Sequence, residues 1–253
     1  MSTVEAIADA CKELKLGKNI VANMGKIDEP DKGKFLLKLL QMEIEHRAEN
    51  RRQRNIKTAG FFTMKSFSDY EYDDVELPPT LTVQDIESVE FVRRKENLIL
   101  YGNPGTGKTH LATAIGIKAC MSDMRVGFYR TAGLVNKLVE YRDKGELDKF
   151  FKKLSKLDLI ICDEWGYVPL DKVGGQLLFQ VISDCYETKS LIITTNLEFS
   201  KWINIFYDQE MTAAMIDRLV HHSHLVLFPK KDSWRIKHAL INKKNNKKNS
   251  LSE

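Results

Sequence analysis

Gly102-Asn103-Pro104-Gly105-Thr106-Gly107-Lys108-Thr109 fills every fixed position of the pattern G-x-x-x-x-G-K-[ST] and directly follows the apolar run Leu98-Ile99-Leu100-Tyr101. A short strand that ends in a glycine-rich turn and opens into a helix aims several backbone N–H groups and the positive end of the helix dipole at one point. A polyphosphate can sit there. The glycines permit positive φ and close backbone approach, and Thr109 to Cys120 continues with apolar residues at helical spacing. The stretch Gly102 to Thr109 therefore reads as a nucleoside triphosphate site, with Lys108 on the outer phosphates and Thr109 on Mg²⁺.

Downstream, the pattern alternates between strand and helix. Strands are expected at about 97–101, 126–130, 157–162, 191–195 and 225–228, with helical stretches between them. Short buried strands joined by helices predict an α/β fold, a five-stranded parallel sheet with helices on both faces. Ligands of such sheets lie at the carboxyl ends of the strands, where the glycine loop falls. Two further polar ends belong there. The apolar run Leu157 to Cys162 closes on Asp163-Glu164, and Leu191 to Thr195 closes on Asn196. Magnesium bridging the phosphates needs a carboxylate from a neighbouring strand, and attack on the γ-phosphate needs a group that orients water. Asp163 suits the first task and Glu164 the second, while Asn196 is placed to touch both phosphate and water. Arg218 and Arg235 are both candidates for stabilising transition-state charge, and residue pattern alone does not choose between them.

Outside this core the chain divides by composition. Residues 1–65 read as a helical N-terminal module, with an apolar stripe at Leu36, Leu37, Leu39, Leu40, Met42 and Ile44. Residues 66–80, acidic and ending near Pro78-Pro79, read as a linker lying across the second unit; 81–228 form the core, and 229–253 a terminal segment with a basic, disordered tail. With 253 residues and 43% hydrophobic content, one good-sized core plus a small accessory domain is expected. No apolar run reaches the ~18 residues of a membrane span, and Met1 to Asp9 lacks a secretory pattern, so a cytoplasmic protein is expected. Cys11, Cys120, Cys162 and Cys185 lie far apart and read as free thiols. His221, His222 and His224 read as a solvated helix end. Net charge is only +4, yet basic residues cluster at Arg47–Lys57, Lys149–Lys156 and Lys243–Lys248, as segments that neutralise polyanions do.

These residues, in this order, resemble the AAA+ ATPases and, more narrowly, the IstB and DnaC group. Carrying the resemblance are Asp163-Glu164-Trp165-Gly166-Tyr167-Val168-Pro169-Leu170, Tyr186-Glu187, Thr195-Asn196, Trp202, Asp217-Arg218-Leu219 and Ser233-Trp234-Arg235. Upstream, Ser66-Phe67-Ser68-Asp69-Tyr70 and Gly107 to Ala112 fit the same pattern. The sequence departs from it at Cys185, Trp234 and Lys231-Asp232. The resemblance implies an IstB-type helper ATPase that uses ATP and Mg²⁺, assembles as a multimer on duplex DNA with little sequence preference, and assists a DDE-type transposase. It assigns Lys108 and Thr109 to the Walker A motif, Asp163 and Glu164 to Walker B, Asn196 to sensor 1, Arg218 to an arginine finger acting in trans, and Arg235 to a sensor 2-like role. It also implies that the segment from about 131 to 156 lines the DNA path, with Lys137, Arg142, Lys144, Lys149, Lys152 and Lys153 as phosphate contacts. A DnaC-like helicase loader and a nucleotide-gated scaffold without turnover are the competing expectations.

Overall fold

The computed structural model describes residues 1–206 and 208–229; Arg235, Trp234, Lys231-Asp232 and the Lys243–Lys248 run lie outside them. Two compact units divide after Arg54.

The first unit holds α1 (Thr3–Glu13), α2 (Asn19–Met24) and most of α3 (Lys32–Ala59). Ser2 starts α1 with a capping box closed by Glu5. Cys11, Ile20 and Leu39 form its small core, with Phe35 packed against it. The apolar residues predicted as one stripe on α3 fan around the helix instead. Leu39 is buried, whereas Leu36, Leu37, Leu40 and Ile44 are exposed. The face turned inward is completed by Glu43, whose carboxylate accepts from Gly17 N and from Arg47 Nε.

In the second unit follow α4 (Val83–Ser88), α5 (Glu90–Arg93), β1 (Asn97–Gly102), α6 (Lys108–Met121), β2 (Val126–Arg130), α7 (Thr131–Asp143), α8 (Leu147–Leu154), β3 (Leu159–Trp165), α9 (Lys172–Cys185), β4 (Ser190–Thr195), α10 (Ile203–Phe206), α11 (Gln209–His221) and β5 (Ser223–Phe228). The five strands make one sheet in the order β2-β3-β4-β1-β5, and every neighbouring pair is parallel. All six residues of β4 are buried, as a strand covered on both faces requires. Alternation within β3 sends Leu159 and Ile161 to a core shared with Leu111 and Ile115 of α6. Ile160 and Cys162 go to the opposite core, with Leu134 and Leu138 of α7 and Leu178 of α9. This is the α/β architecture expected, a five-stranded parallel sheet with helices on both faces.

Three differences from expectation have local causes. The boundary falls after Arg54 rather than 65, because Ile56, Ala59 and Phe61 pack into the core of the second unit. The segment that the resemblance implies as the DNA path, from about 131 to 156, is two helices rather than one, broken at Gly145, which adopts a φ of 69°. Strand β3 begins later and runs further than 157–162, taking in the acidic pair itself. The acidic stretch 66–80 packs Phe67, Tyr70, Tyr72, Val75 and Leu77 on the core, and Glu76 forms an antiparallel bridge with Leu227 of β5. All four cysteines are buried free thiols, and burial pushes the thiols of Cys120 and Cys185 up to about 12.

Candidate nucleotide-binding site

The sheet order sets β4 between β1 and β3, so three carboxyl ends meet at one edge. From β1 the chain turns through Gly102 to Gly107, and Gly105 and Gly107 adopt φ of 81° and 99°, angles that residues with a Cβ rarely reach. A Cβ on Gly107 would lie 3.4 Å from the Tyr70 ring, in ordinary van der Waals contact. Lys108 opens α6 and is buried; its Nζ donates to the carbonyls of Gly102 and Asn103, each at 2.6 Å. The ammonium thus lies inside the loop, against the carbonyls at the end of β1.

One residue on, Thr109 Oγ1 donates to Asp163 Oδ1 at 2.9 Å. Residues 54 positions apart in sequence so place a hydroxyl and a carboxylate together, a hard oxygen set of the kind Mg²⁺ takes. Asp163 is 3% exposed. Besides Thr109, its Oδ1 accepts the Thr194 hydroxyl at 2.5 Å, and its main-chain carbonyl accepts from Thr131 Oγ1 at 2.9 Å. Glu164, in contrast, is exposed. The two carboxylates share a bulge: β3 pairs with β4 at Cys162↔Ile193 and again at Trp165↔Thr195, so Asp163 and Glu164 together oppose Thr194. Glu164 takes up the irregularity with a φ of 58°, and its amide donates to Thr194 Oγ1 at 3.0 Å. Its carboxylate lies 3.5 Å from Arg130 Nε at the end of β2, and that guanidinium stacks on Phe62. Below the bulge, Trp165 packs against Trp202 and Phe206.

Asn196 follows directly on β4 and is exposed. Arg218 sits in the last turn of α11, with its guanidinium 4.8 Å above the Phe179 ring. The adjacent Leu219 carbonyl accepts from Asn97 at the start of β1, whereas the glycine loop leaves the end of that strand. The structure does not bring Arg218 to the acidic pair of its own chain.

All six basic candidates on α7, α8 and the turn between them are exposed, but they are not equivalent. Arg142 pairs with Asp143, Lys144 with Glu140 and Lys149 with Glu146, and Lys137 lies over the Tyr129 ring. Lys152 and Lys153 pair with no carboxylate among the described residues. A separate groove of about 610 Å³ runs between α7 and residues 168–171 and contains none of the phosphate-loop residues. The structure brings the loop and Asp163 together, and adds Thr131, Thr194 and Tyr70 as neighbours that no local sequence signal marks. Glu187 stands with His221 and His222 so that one ligand atom of each lies within 4.8 Å of the others, all three exposed.

A parallel sheet with this loop and acidic pair is the architecture of a P-loop nucleotide-binding protein. The chain belongs to the family of IstB-like ATP binding proteins, whose model matches residues 13–242. It is 34% identical to a Bacillus thuringiensis protein named as the ATP-binding protein of insertion sequence IS232, over 80% of each chain. With the protein of that description from insertion sequence IS21 of Pseudomonas aeruginosa it shares 34% identity, over 80% of this chain and 76% of the relative. An insertion sequence ATP-binding protein of Sinorhizobium fredii is 37% identical over 75% of this chain, and the match spans 64% of that relative. Among solved structures, a DNA replication initiation factor shares the fold with a TM-score of 0.51 at 19% identity, covering 73% of this chain and 55% of the other. AMPPCP-bound DnaA from Aquifex aeolicus gives 0.50 at 20% identity, covering 64% of this chain and 49% of the other.

Proposed function

We propose that this chain is a Mg²⁺-dependent ATPase that assembles on duplex DNA, largely without sequence preference, and assists the transposase of an insertion sequence. The observation that carries the reading is the 2.9 Å bond between Thr109 and Asp163, which joins the loop after β1 to the acidic end of β3. Lys108 and the loop amides hold the phosphates, and Thr109 and Asp163 hold the cation. Magnesium, when bound, neutralises charge that develops on the phosphates. Glu164 orients the attacking water, and Asn196 senses the γ-phosphate from the strand between. Phosphoryl transfer asks little covalent chemistry of a protein, so positioning and charge carry the rate.

Arg218 acts on the site of a neighbouring subunit. Its support is the span of β1: Leu219 bonds to Asn97 at one end, the loop leaves Gly102 at the other, and five steps of strand separate them by roughly 16 Å. A finger supplied only in trans leaves the lone subunit a weak ATPase, since losing such an arginine costs about 10³–10⁵ in rate. Arg235, outside the described residues, is assigned the sensor 2-like role by resemblance. DNA phosphates are met by Lys137, Arg142, Lys144, Lys149, Lys152 and Lys153 of α7, α8 and the turn between them. The family's insertion-sequence setting favours a DDE-type transposase as partner over a replicative helicase.

Pull-down with ATP and duplex DNA separates the two partners. Retention of the cognate transposase supports the proposal, and exclusive retention of a replicative helicase refutes it in favour of a loader.

A further inference from the structure

We propose that Thr194 is a positioning residue for this site, its hydroxyl tying the metal-side carboxylate and the water-side residue into one unit across the β3–β4 bulge. The inference rests on the Mg²⁺-ATPase reading above.

A threonine hydroxyl has one proton to give and lone pairs to accept with. Thr194 uses both on the acidic pair. The proton goes to Asp163 Oδ1 at 2.5 Å, and a lone pair takes the Glu164 amide at 3.0 Å. Thr194 is 2% exposed, so water does not replace either bond cheaply, and hydrogen bonds to a charged group in such surroundings are among the stronger ones.

The bulge explains why a side chain is needed. Two residues of β3 oppose one of β4, so the regular ladder cannot satisfy every amide there. The Glu164 amide turns to the Thr194 side chain, and this bond helps hold Glu164 in the left-handed region, at a φ of 58°, which residues with a Cβ disfavour. At the same Asp163 oxygen, Thr194 adds to the bond from Thr109, fixing the carboxylate from β4 as well as from α6. One hydroxyl therefore sets where the cation-side oxygen lies and where the Glu164 backbone lies. Thr195, next along the strand, serves a different part: its hydroxyl donates to the Trp165 carbonyl and accepts from the Leu197 amide.

Thr194→Val keeps the branched shape and removes the donor and acceptor together; Thr194→Ser keeps the hydroxyl and removes the methyl. The full-length protein is titrated with Mg²⁺ in the presence of a non-hydrolysable ATP analogue, and the rise in melting temperature is followed. Turnover with ATP is measured alongside. Partners that orient a metal ligand are worth about 10–100-fold in metal affinity or activity, so Thr194→Val is expected to raise the Mg²⁺ midpoint and lower turnover within that range. Thr194→Ser keeps the wild-type midpoint. If Thr194→Val does not fold, Thr194→Cys, a weak donor, takes its place and is expected to shift the midpoint in the same direction. A wild-type protein that responds to nucleotide and Mg²⁺, with a valine or cysteine variant whose midpoint is unchanged, overturns the assignment while leaving the ATPase reading standing. Equal shifts in Thr194→Ser and Thr194→Val also overturn it, because the methyl would then carry the effect. A wild-type protein indifferent to nucleotide and Mg²⁺ overturns the site reading and the assignment with it.

Discussion

At the residue scale, the acidic pair separates two carboxylates that are adjacent in sequence but not in circumstance. Asp163 is buried and held by hydroxyls from α6 and β4, while Glu164 is exposed beside Arg130. A fixed buried carboxylate suits a cation, and an exposed one with room to move suits a water molecule. Glu164→Gln, which keeps the shape and removes the charge, is therefore expected to leave ATP affinity unchanged and to reduce turnover about 10²–10⁴-fold, the usual worth of such a group. Equilibrium binding of a fluorescent ATP analogue and a phosphate-release assay check the two halves; loss of binding would contradict the role. Lys108, Thr109, Asp163 and Glu164 were legible because each belongs to a short run whose chemistry is local. Thr194 was not, because its part depends on a register shift between β3 and β4 that alternation of apolar residues does not encode. Tyr70 carries no local signal of its own, and its place beside Gly107 arises from a strap that folds back over a distant loop.

At the scale of elements, apolar runs located all five strands because a parallel sheet buries both faces of its strands. Helix ends are less legible where composition stays amphipathic through a break. Phe150 and Leu154 of α8 continue the apolar theme of α7, and the positive φ of Gly145 with the non-helical Glu146 divides them. The stripe on α3 shows the opposite limit: leucines adjacent in sequence spread around a helix, and which of them are buried is decided by α1 and α2. The six basic residues of α7, α8 and their turn differ in freedom as well. Salt bridges at the surface are weak, yet a lysine already paired gains less from a phosphate than an unpaired one. Lys152→Ala and Lys153→Ala are each expected to lower the slope of log affinity against log salt by about one for duplex DNA. Fluorescence anisotropy at several salt concentrations measures this, and slopes identical to wild type would remove α8 from the DNA path.

At the scale of the whole molecule, the fold sets the glycine loop and the Arg218 segment at opposite ends of β1, and under the proposed function each subunit would carry half of two sites. Subunits with Arg218→Ala and subunits with Lys108→Ala, each inactive alone, are expected to regain part of the wild-type turnover when mixed, through composite sites with one intact half from each. Complete inactivity of well-folded mixed assemblies would contradict action across an interface. Cys120, Cys162 and Cys185, the sheet order and the two core layers belong to the frame of the second unit. Everything functional, the DNA and transposase readings included, depends on a triphosphate and its cation being held between the loop at Gly102–Thr109 and Asp163. Calorimetric titration of the full-length chain with ATP and Mg²⁺ tests that most directly, with Lys108→Ala and Asp163→Asn beside the wild type. The account predicts one site per wild-type chain, loss of binding in Lys108→Ala, and in Asp163→Asn a weakened response to Mg²⁺ with Mg²⁺-free ATP binding retained. Wild-type affinity and Mg²⁺ dependence in both variants would contradict it.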